Sequence, residues 1–509
     1  MTIQKLKINS ESKLQKNKRE NNDDNINSNI KKIKSNEFKI QKTEEKYKKT
    51  LTKNDKENHS RNISDKFEIK NSIEKPNWIE FKKQKKELKE KYKAKRFNDI
   101  YNITITAKQF SEKFRRSDCS KLERKKLWIL KYCDAKIRQA IFQELKPSIS
   151  SMIKSKYAKN CIKTMLKYGS QQIRHETISV FYGNVIRFMC HSVSASLLEV
   201  IYSTWATEIE KIYFKQEFYG DMYKQAKDKK IKTLSDTYKI AEDMKTATLS
   251  AVKGNLMKIL NKKFLNSTLL HCVLLEFLND CSIEDRTEMI TMLKNSIMEL
   301  SRTKFGSKVA AICIWHGTNK DRKIIMKSLK GNIKTISMSE HGYLILLALF
   351  DSVDDTVLIK KIIFSEIQND LIDIALNDYG KHVILYLIAR RNSHYFAPSI
   401  VKYLEQGDNN VISKKPANVR EKELLYSISD SLLESVITNT SIWISNSSIA
   451  MITLAILKIE LQKKSECTFG EILINYLKTN IIEKWIECNR GCFLLILLLE
   501  NETISKKLD

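Results

Sequence analysis

From about residue 100 onward, apolar residues recur at helical spacing in segments of 10–16 residues, separated by short polar turns. That pattern predicts helices throughout. Residues 157–169 (YAKNCIKTMLKYG) and 305–317 (FGSKVAAICIWHG) repeat one another: each opens on an aromatic and a small residue and closes on Gly twelve positions later. Residues 379–388 (YGKHVILYLI) open in the same way. Cys161, Ile162, Met165 and Leu166 correspond to Val309, Ala310, Cys313 and Ile314, and to Val383, Ile384, Leu387 and Ile388. The spacing i, i+1, i+4, i+5 draws one buried stripe along a helix. Gly169 and Gly317 fall where a left-handed C-cap is expected to end it.

The third residues of successive motifs, Lys159, Ala195, His271, Ser307, Gly342 and Lys381, are separated by 36, 76, 36, 35 and 39 positions. The long interval is two periods and predicts a degenerate repeat in the charged stretch after Tyr219. Fainter copies follow near Ser448 and Gly491. A helical period near 36 predicts an all-α solenoid, curved or L-shaped, in which each unit buries its stripe against its neighbours.

Residues 1–75 are rich in Lys, Asn, Glu, Asp and Ser, with isolated apolar residues at no regular period, and read as a disordered basic tail. Order is expected from Pro76. Residues 76–100 form a basic helix carrying Lys82, Lys83, Lys85, Lys86, Lys89, Lys91, Lys93, Lys95 and Arg96. This run suits a nuclear address, an RNA contact or a solvated face. The repeat array is expected over 101–420 and further helical repeats over 421–509.

Composition narrows the function. The 509 residues contain only 12 Gly and 4 Pro, which disfavours hairpins and phosphate-cradling Gly loops. Lys and Arg number 90 against 60 Asp and Glu, a formal net charge of +30, of which residues 1–100 supply +13. A charge of that size, in tail and body alike, implies an anionic partner, nucleic acid first. The ten Cys are dispersed without a CxxC pair, as expected for reduced core thiols and unlike a zinc site. The opening MTIQKLKINS lacks the apolar core of a signal peptide. The apolar runs at 343–350 and 493–499 are too short to cross a bilayer. No membrane association is expected.

Catalytic and metal chemistry find no support in the sequence. The eight His show no HExxH and no metal spacing. Asn319-Lys320-Asp321 lacks the GxxxxGK[ST] loop that a nucleotide site requires. Asp351, Asp354 and Asp355 suit a polar turn that caps the helix after Asp355. The chain reads as a non-enzyme without cofactor or metal.

Several strings go further than periodicity. IWHGTNKDRKIIMKSLK (314–330), ALFDSVDDTVLIKKIIFSEI (348–367), NDYGKHVILYLI (377–388), VREKELLYSIS (419–429) and NRG (489–491) resemble the Puf-A/penguin branch of the Pumilio family. So does KPNWIEFKKQKKELKEK (75–91), which is similar to the segment before that family's first repeat. The resemblance covers about 75–509, with the part after about 420 similar to the CPL region. Between Lys121 and Ile149 the chain is shorter than the family's first repeat, and no recognition helix is visible at 133–136.

The resemblance implies that the third, fourth and seventh residues of each repeat helix face RNA. At ~100° per residue they lie away from the apolar stripe. The triplets are Lys159/Asn160/Lys163, Ala195/Ser196/Glu199, His271/Cys272/Leu275, Ser307/Lys308/Ala311, Gly342/Tyr343/Leu346 and Lys381/His382/Leu385. Base reading needs paired donors and acceptors, and most of these offer none. Only Ser196 with Glu199 suggests a base edge. The RNA contacts expected are therefore Lys159, Asn160, Lys163, Ser307, Lys308, Tyr343, Lys381 and His382, meeting phosphates and stacking on bases without reading sequence.

The resemblance further implies a nucleolar monomer that acts in large-subunit ribosome assembly, bound to ribosomal precursor RNA and assembly factors, with messenger RNA and DNA as other ligands. A sequence-specific regulator of messenger RNA is disfavoured by the silent triplets. An armadillo- or HEAT-like scaffold is disfavoured by four Lys and one Glu at the recognition positions.

Overall fold

The computed structural model describes residues 78–94, parts of 101–112, 131–439 except 157 and 409, and scattered positions between 442 and 496. The tail at 1–75 and the faint repeats at Ser448 and Gly491 lie outside the described residues. The chain divides into two units, Met1–Gln84 and Lys85–Asp509. Of the first, only the opening of the helix Trp78–Ala94 is described.

Among the described residues all regular structure is helical. The repeat motif forms the inner helices α1 (Lys159–Tyr168), α2 (Ser192–Val200), α3 (Thr268–Asp280), α4 (Lys304–His316), α5 (Tyr343–Ser352) and α6 (Gly380–Ala389). α1 packs on α2, α3 on α4, α4 on α5 and α5 on α6, while α3 packs on the turn Ile201–Trp205 that continues α2. Cys161, Ile162, Met165 and Leu166 of α1 are buried, as are Val309, Ala310, Cys313 and Ile314 of α4. The stripe read from the sequence is the core. A longer helix, α7 (Ala417–Thr438), packs on α5 and α6 and runs through the boundary expected at residue 420. Array and following region are therefore continuous there.

Inner and outer helices are joined by a two-residue corner. Ser170 and Thr318 accept hydrogen bonds from Ile173 N (3.3 Å) and Asp321 N (3.2 Å), capping the outer helices Gln171–Ser179 and Asn319–Leu329. Gly169 and Gly317 precede those caps with extended backbone (φ −70° and −73°), so the left-handed C-cap expected from the sequence is absent. Close approach explains the glycines: a Cβ at either would overlap the carbonyl oxygen of Met165 or Cys313. Ser282 caps the outer helix Ile283–Leu293 in the same way, and four residues after each of these three caps stands an arginine. Arg174, Arg286 and Arg322 donate through Nε to the carbonyls of Leu166, Leu278 and Ile314 at 2.8, 3.0 and 2.8 Å. Each satisfies a carbonyl near an inner helix's C-terminus, where no intrahelical donor remains.

The double interval between Ala195 and His271 holds no extra inner helix. Glu199 of α2 accepts from Thr268 N (2.8 Å) and Thr268 Oγ1 (2.6 Å) at the start of α3, so α2 and α3 are direct neighbours. The intervening residues form the helix Glu208–Gln216 and then Asp221–Ala226, Leu234–Ile240 and Lys245–Leu260, an inserted arm whose last two helices pack against α3. At the front, Asp134 caps a helix, Ala135–Leu145, directly, so residues 133–136 open that helix. Residues 113–130 lie outside the described residues.

Candidate nucleic-acid interface

The recognition positions are occupied largely in tying one repeat to the next. Glu199 caps α3 and is withdrawn from any base edge, while Ser196 Oγ donates to Val193 O at 3.0 Å. His271 is fully buried, with Nδ1 2.7 Å from Thr303 Oγ1, which also accepts from Gly306 N at the start of α4. Burial pushes its pKa down to about 4 and keeps the ring neutral. Ser307, expected to contact RNA, is buried, and its hydroxyl donates to Thr303 O at 3.1 Å. Ala311, Leu346 and Leu385 at position seven are all fully buried, not turned away from the core as their helical spacing suggested.

After α6 a cross segment turns back over the row from α6 to α4. Phe396 packs edge-on against Tyr386 (5.3 Å between rings), and Tyr403 packs against Trp315 at 5.1 Å. The helix Pro398–Leu404 carries Tyr403, whose hydroxyl donates to Lys308 O at 3.0 Å. Two anchors hold the segment. Arg391 bridges Asp351 (2.7 Å) and Asp408 (2.6 Å), with Tyr386 donating to the same Asp351 carboxylate at 2.6 Å. Arg322, itself buried, donates to Ser352 O (2.6 Å) and Ser413 Oγ (3.0 Å). Asp354 instead pairs with Arg420 at 2.9 Å, and Asp355 accepts from Leu358 N at 2.9 Å as the expected cap. The three neighbouring acids thus serve separate sets of partners, and Asp321 completes the capping box with Thr318. Among the described residues no cluster of His, Cys, Asp and Glu could hold a metal.

What stays open between the cross segment and the helix starts is a notch of about 420 Å³. Ser307, Lys308 and Tyr343 line it, joined by Lys304, Tyr379 and Tyr403, which sequence reasoning missed. Tyr343 lies near-parallel to Tyr379 (6.3 Å, 17°) and to His382 (5.5 Å, 27°), so both expected stacking residues already stack on protein rings. The Lys308 ammonium sits 4.7 Å from the Tyr403 ring centre, and burial, with Lys304 nearby, lowers its pKa. Burial likewise lowers the pKa of His382, with Lys381 adding to the effect. Lys381 pairs with the exposed Asp378 at 3.1 Å. The notch offers aromatic edges and two lysines, opposed by the exposed carboxylate of Glu340, in a volume that suits one nucleotide.

The surface of α1, at the other end of the row, is freer. Asn160 is exposed and Lys159 and Lys163 are half-buried, and neither lysine forms an ion pair among the described residues. Nearby, Lys131 and Lys167 lie 5.8 and 5.6 Å from the Tyr168 ring centre. On the helix Trp78–Ala94, Lys82, Lys83, Lys85, Lys86, Lys89 and Lys91 are exposed. The Lys93 side chain, Lys95 and Arg96 lie outside the described residues.

Comparison with known proteins fits this geometry. The CPL (NUC119) domain model matches residues 376–488. Human Pumilio homolog 3 is 32% identical over 391 residues, covering 71% of this chain and 60% of that protein. Protein penguin of Drosophila melanogaster is 35% identical over 420 residues, covering 75% and 55%. The crystal structure of human Puf-A superposes with a TM-score of 0.69 at 26% identity, covering 80% of this chain and 95% of that one. The chain belongs to the Puf-A/penguin branch of the Pumilio family. It spans 55–60% of the length of these two relatives. Human Puf-A has also been crystallised in complex with DNA, and that structure superposes with a TM-score of 0.67. The CPL match begins inside the repeat region, upstream of α6, so in this Puf-A-type chain the cross segment and α7 belong to the CPL portion. No helix among the described residues is long and apolar enough to cross a membrane.

Proposed function

We propose that this protein binds nucleic acid, RNA foremost, through charge and shape, without reading base sequence. One observation carries the proposal: the position-seven side chains Ala311, Leu346 and Leu385 are fully buried in a chain of net charge +30. A buried alkyl side chain cannot hydrogen-bond a base edge, whereas lysines meet any phosphate. Lys159, Asn160 and Lys163 on α1 meet backbone phosphates. The notch beside Lys308 and Tyr343 takes a single nucleotide, with DNA and messenger RNA accepted on the same terms.

The family resemblance extends this reading to ribosomal precursor RNA, to assembly factors as protein partners and to a nucleolar monomer without catalytic activity. The exposed lysines of Trp78–Ala94 support a nuclear address. Crosslinking the protein in cells and sequencing the attached RNA tests the reading. Ribosomal precursor reads are expected to dominate; scattered messenger reads sharing one motif would contradict it.

A further inference from the structure

The inserted arm builds a second feature, distinct from the inner helices. Lys245–Leu260 lies against the short helix Val185–Met189, with Cys190 Sγ 3.6 Å from Lys258 O. Between them and the helix Asp221–Ala226 lies a cleft of about 750 Å³. Arg187, Lys224, Lys258 and Lys262 line it, together with the amides of Asn184 and Asn261. Arg187, Lys258 and Lys262 are exposed. Two acids also line the cleft and leave it four cations against two carboxylates. Glu217 turns both carboxylate oxygens onto backbone, accepting from Gly183 N and from Val185 N (3.0 Å), and is 2% exposed. Asp221 reaches Lys224 only at 4.0 Å, with its side chain in solvent.

The walls are fixed. Besides Glu217, Asn255 Nδ2 donates to Phe218 O at 3.2 Å, tying the arm's long helix to the chain that enters it. Lys253 anchors the same helix to Asp285 (2.7 Å) and Glu288 (2.6 Å) on the helix Ile283–Leu293.

We infer that this cleft is a phosphate-binding site for the nucleic-acid backbone, separate from the α1 lysines and the notch. Four cations and two amides face a volume large enough for more than one phosphate. No aromatic ring lines the cleft, so nothing there stacks a base. An acidic protein partner fits less well, because stable protein interfaces need an apolar centre and Ile186 is the one aliphatic residue in the lining. The inference rests on the nucleic-acid reading above and adds a location to it.

The test uses the full chain with Arg187→Gln/Lys258→Gln/Lys262→Gln, measuring binding of a labelled oligouridine across a salt series. The variant should bind more weakly, with a salt slope shallower by about two, since each single-strand phosphate contact contributes ~0.7. Its loss should add to that of Lys159→Ala/Lys163→Ala, as expected for separate sites. The charge-keeping Lys258→Arg/Lys262→Arg should retain affinity, which separates lost charge from lost folding. If the unaltered protein binds no oligouridine, the functional reading and this inference fall together. If it binds and the triple variant keeps affinity and slope, only the cleft inference is overturned. A triple variant that loses polyglutamate binding while keeping oligouridine would make the cleft a protein site and overturn it as well.

Discussion

The hydroxyl of Tyr403 donates to the carbonyl of Lys308 at 3.0 Å while its ring receives the Lys308 ammonium at 4.7 Å. A residue expected to face RNA is thereby held by a helix 95 positions further along the chain. Cation–π contacts contribute ~0.5–2 kcal/mol, more where desolvated. Lys308→Glu should therefore lower stability by about 1 kcal/mol or more, beyond the near-neutral effect of an ordinary surface change. A double-mutant cycle of Lys308→Met with Tyr403→Leu, read by urea melts, should give a coupling of ~0.5–1 kcal/mol. Strict additivity would show the contact contributes nothing.

Val309, next in sequence, lies fully buried in the stripe. Val309→Asp places a carboxyl without a hydrogen-bonding partner between packed helices, at a cost of ~2–7 kcal/mol for the neutral group and more for the charged one. Thermal melts should rank it far below Lys308→Glu. The reverse order would mean that α4 is rotated from the register described.

His271 predicts a pH dependence. Its folded pKa of about 4 lies below the ordinary 6.5 because burial disfavours the charged ring. Between those values the unfolded chain binds a proton that the folded chain refuses, so stability falls as pH drops from about 6.5 to 4. At 1.36 kcal/mol per pH unit the loss approaches ~3 kcal/mol. Urea melts at several pH values should show this fall in the native protein and a flatter profile in His271→Gln. Equal profiles would show that His271 carries none of it.

Lys159→Ala/Lys163→Ala should shallow the salt dependence of RNA binding by about 0.7 for each lost single-strand contact, ~1.4 in all. Melting should change little, since both side chains stand partly in solvent. An unchanged slope would leave these lysines as solvated residues.

Deleting residues 75–96 removes the exposed lysines of Trp78–Ala94 without cutting the described row of inner helices. Fluorescent fusions should lose nuclear or nucleolar accumulation. Normal accumulation would move the address elsewhere in the chain.

Much of the fold was legible because the repeats write the same physical demand several times. The stripe at Cys161, Val309 and Val383 was found by matching copies, and each is buried. Where a feature occurs once, the pattern gave no purchase. The cross segment carries no repeat period, and its contacts join residues tens of positions apart, such as Ser413 with Arg322 at a separation of 91. The Gly169 and Gly317 corners showed that glycine was required, but not whether backbone angle or close approach required it. The interval from Ala195 to His271 has the length of two periods yet adds an arm beside the row, because length alone does not fix where a helix packs. Within the triplets, the absence of hydrogen-bonding pairs was visible. Their reassignment to Thr268, Thr303 and Tyr403 needed the third dimension.

The most direct test of binding without base reading is selection of the full chain against a randomised RNA pool at fixed salt. Contacts confined to phosphates and stacking should leave sequences of equal length within about one wrong-base penalty, ~1–3 kcal/mol, with no shared motif emerging. Strong enrichment of one eight- or nine-base motif would contradict it and restore the inner helices as readers of sequence.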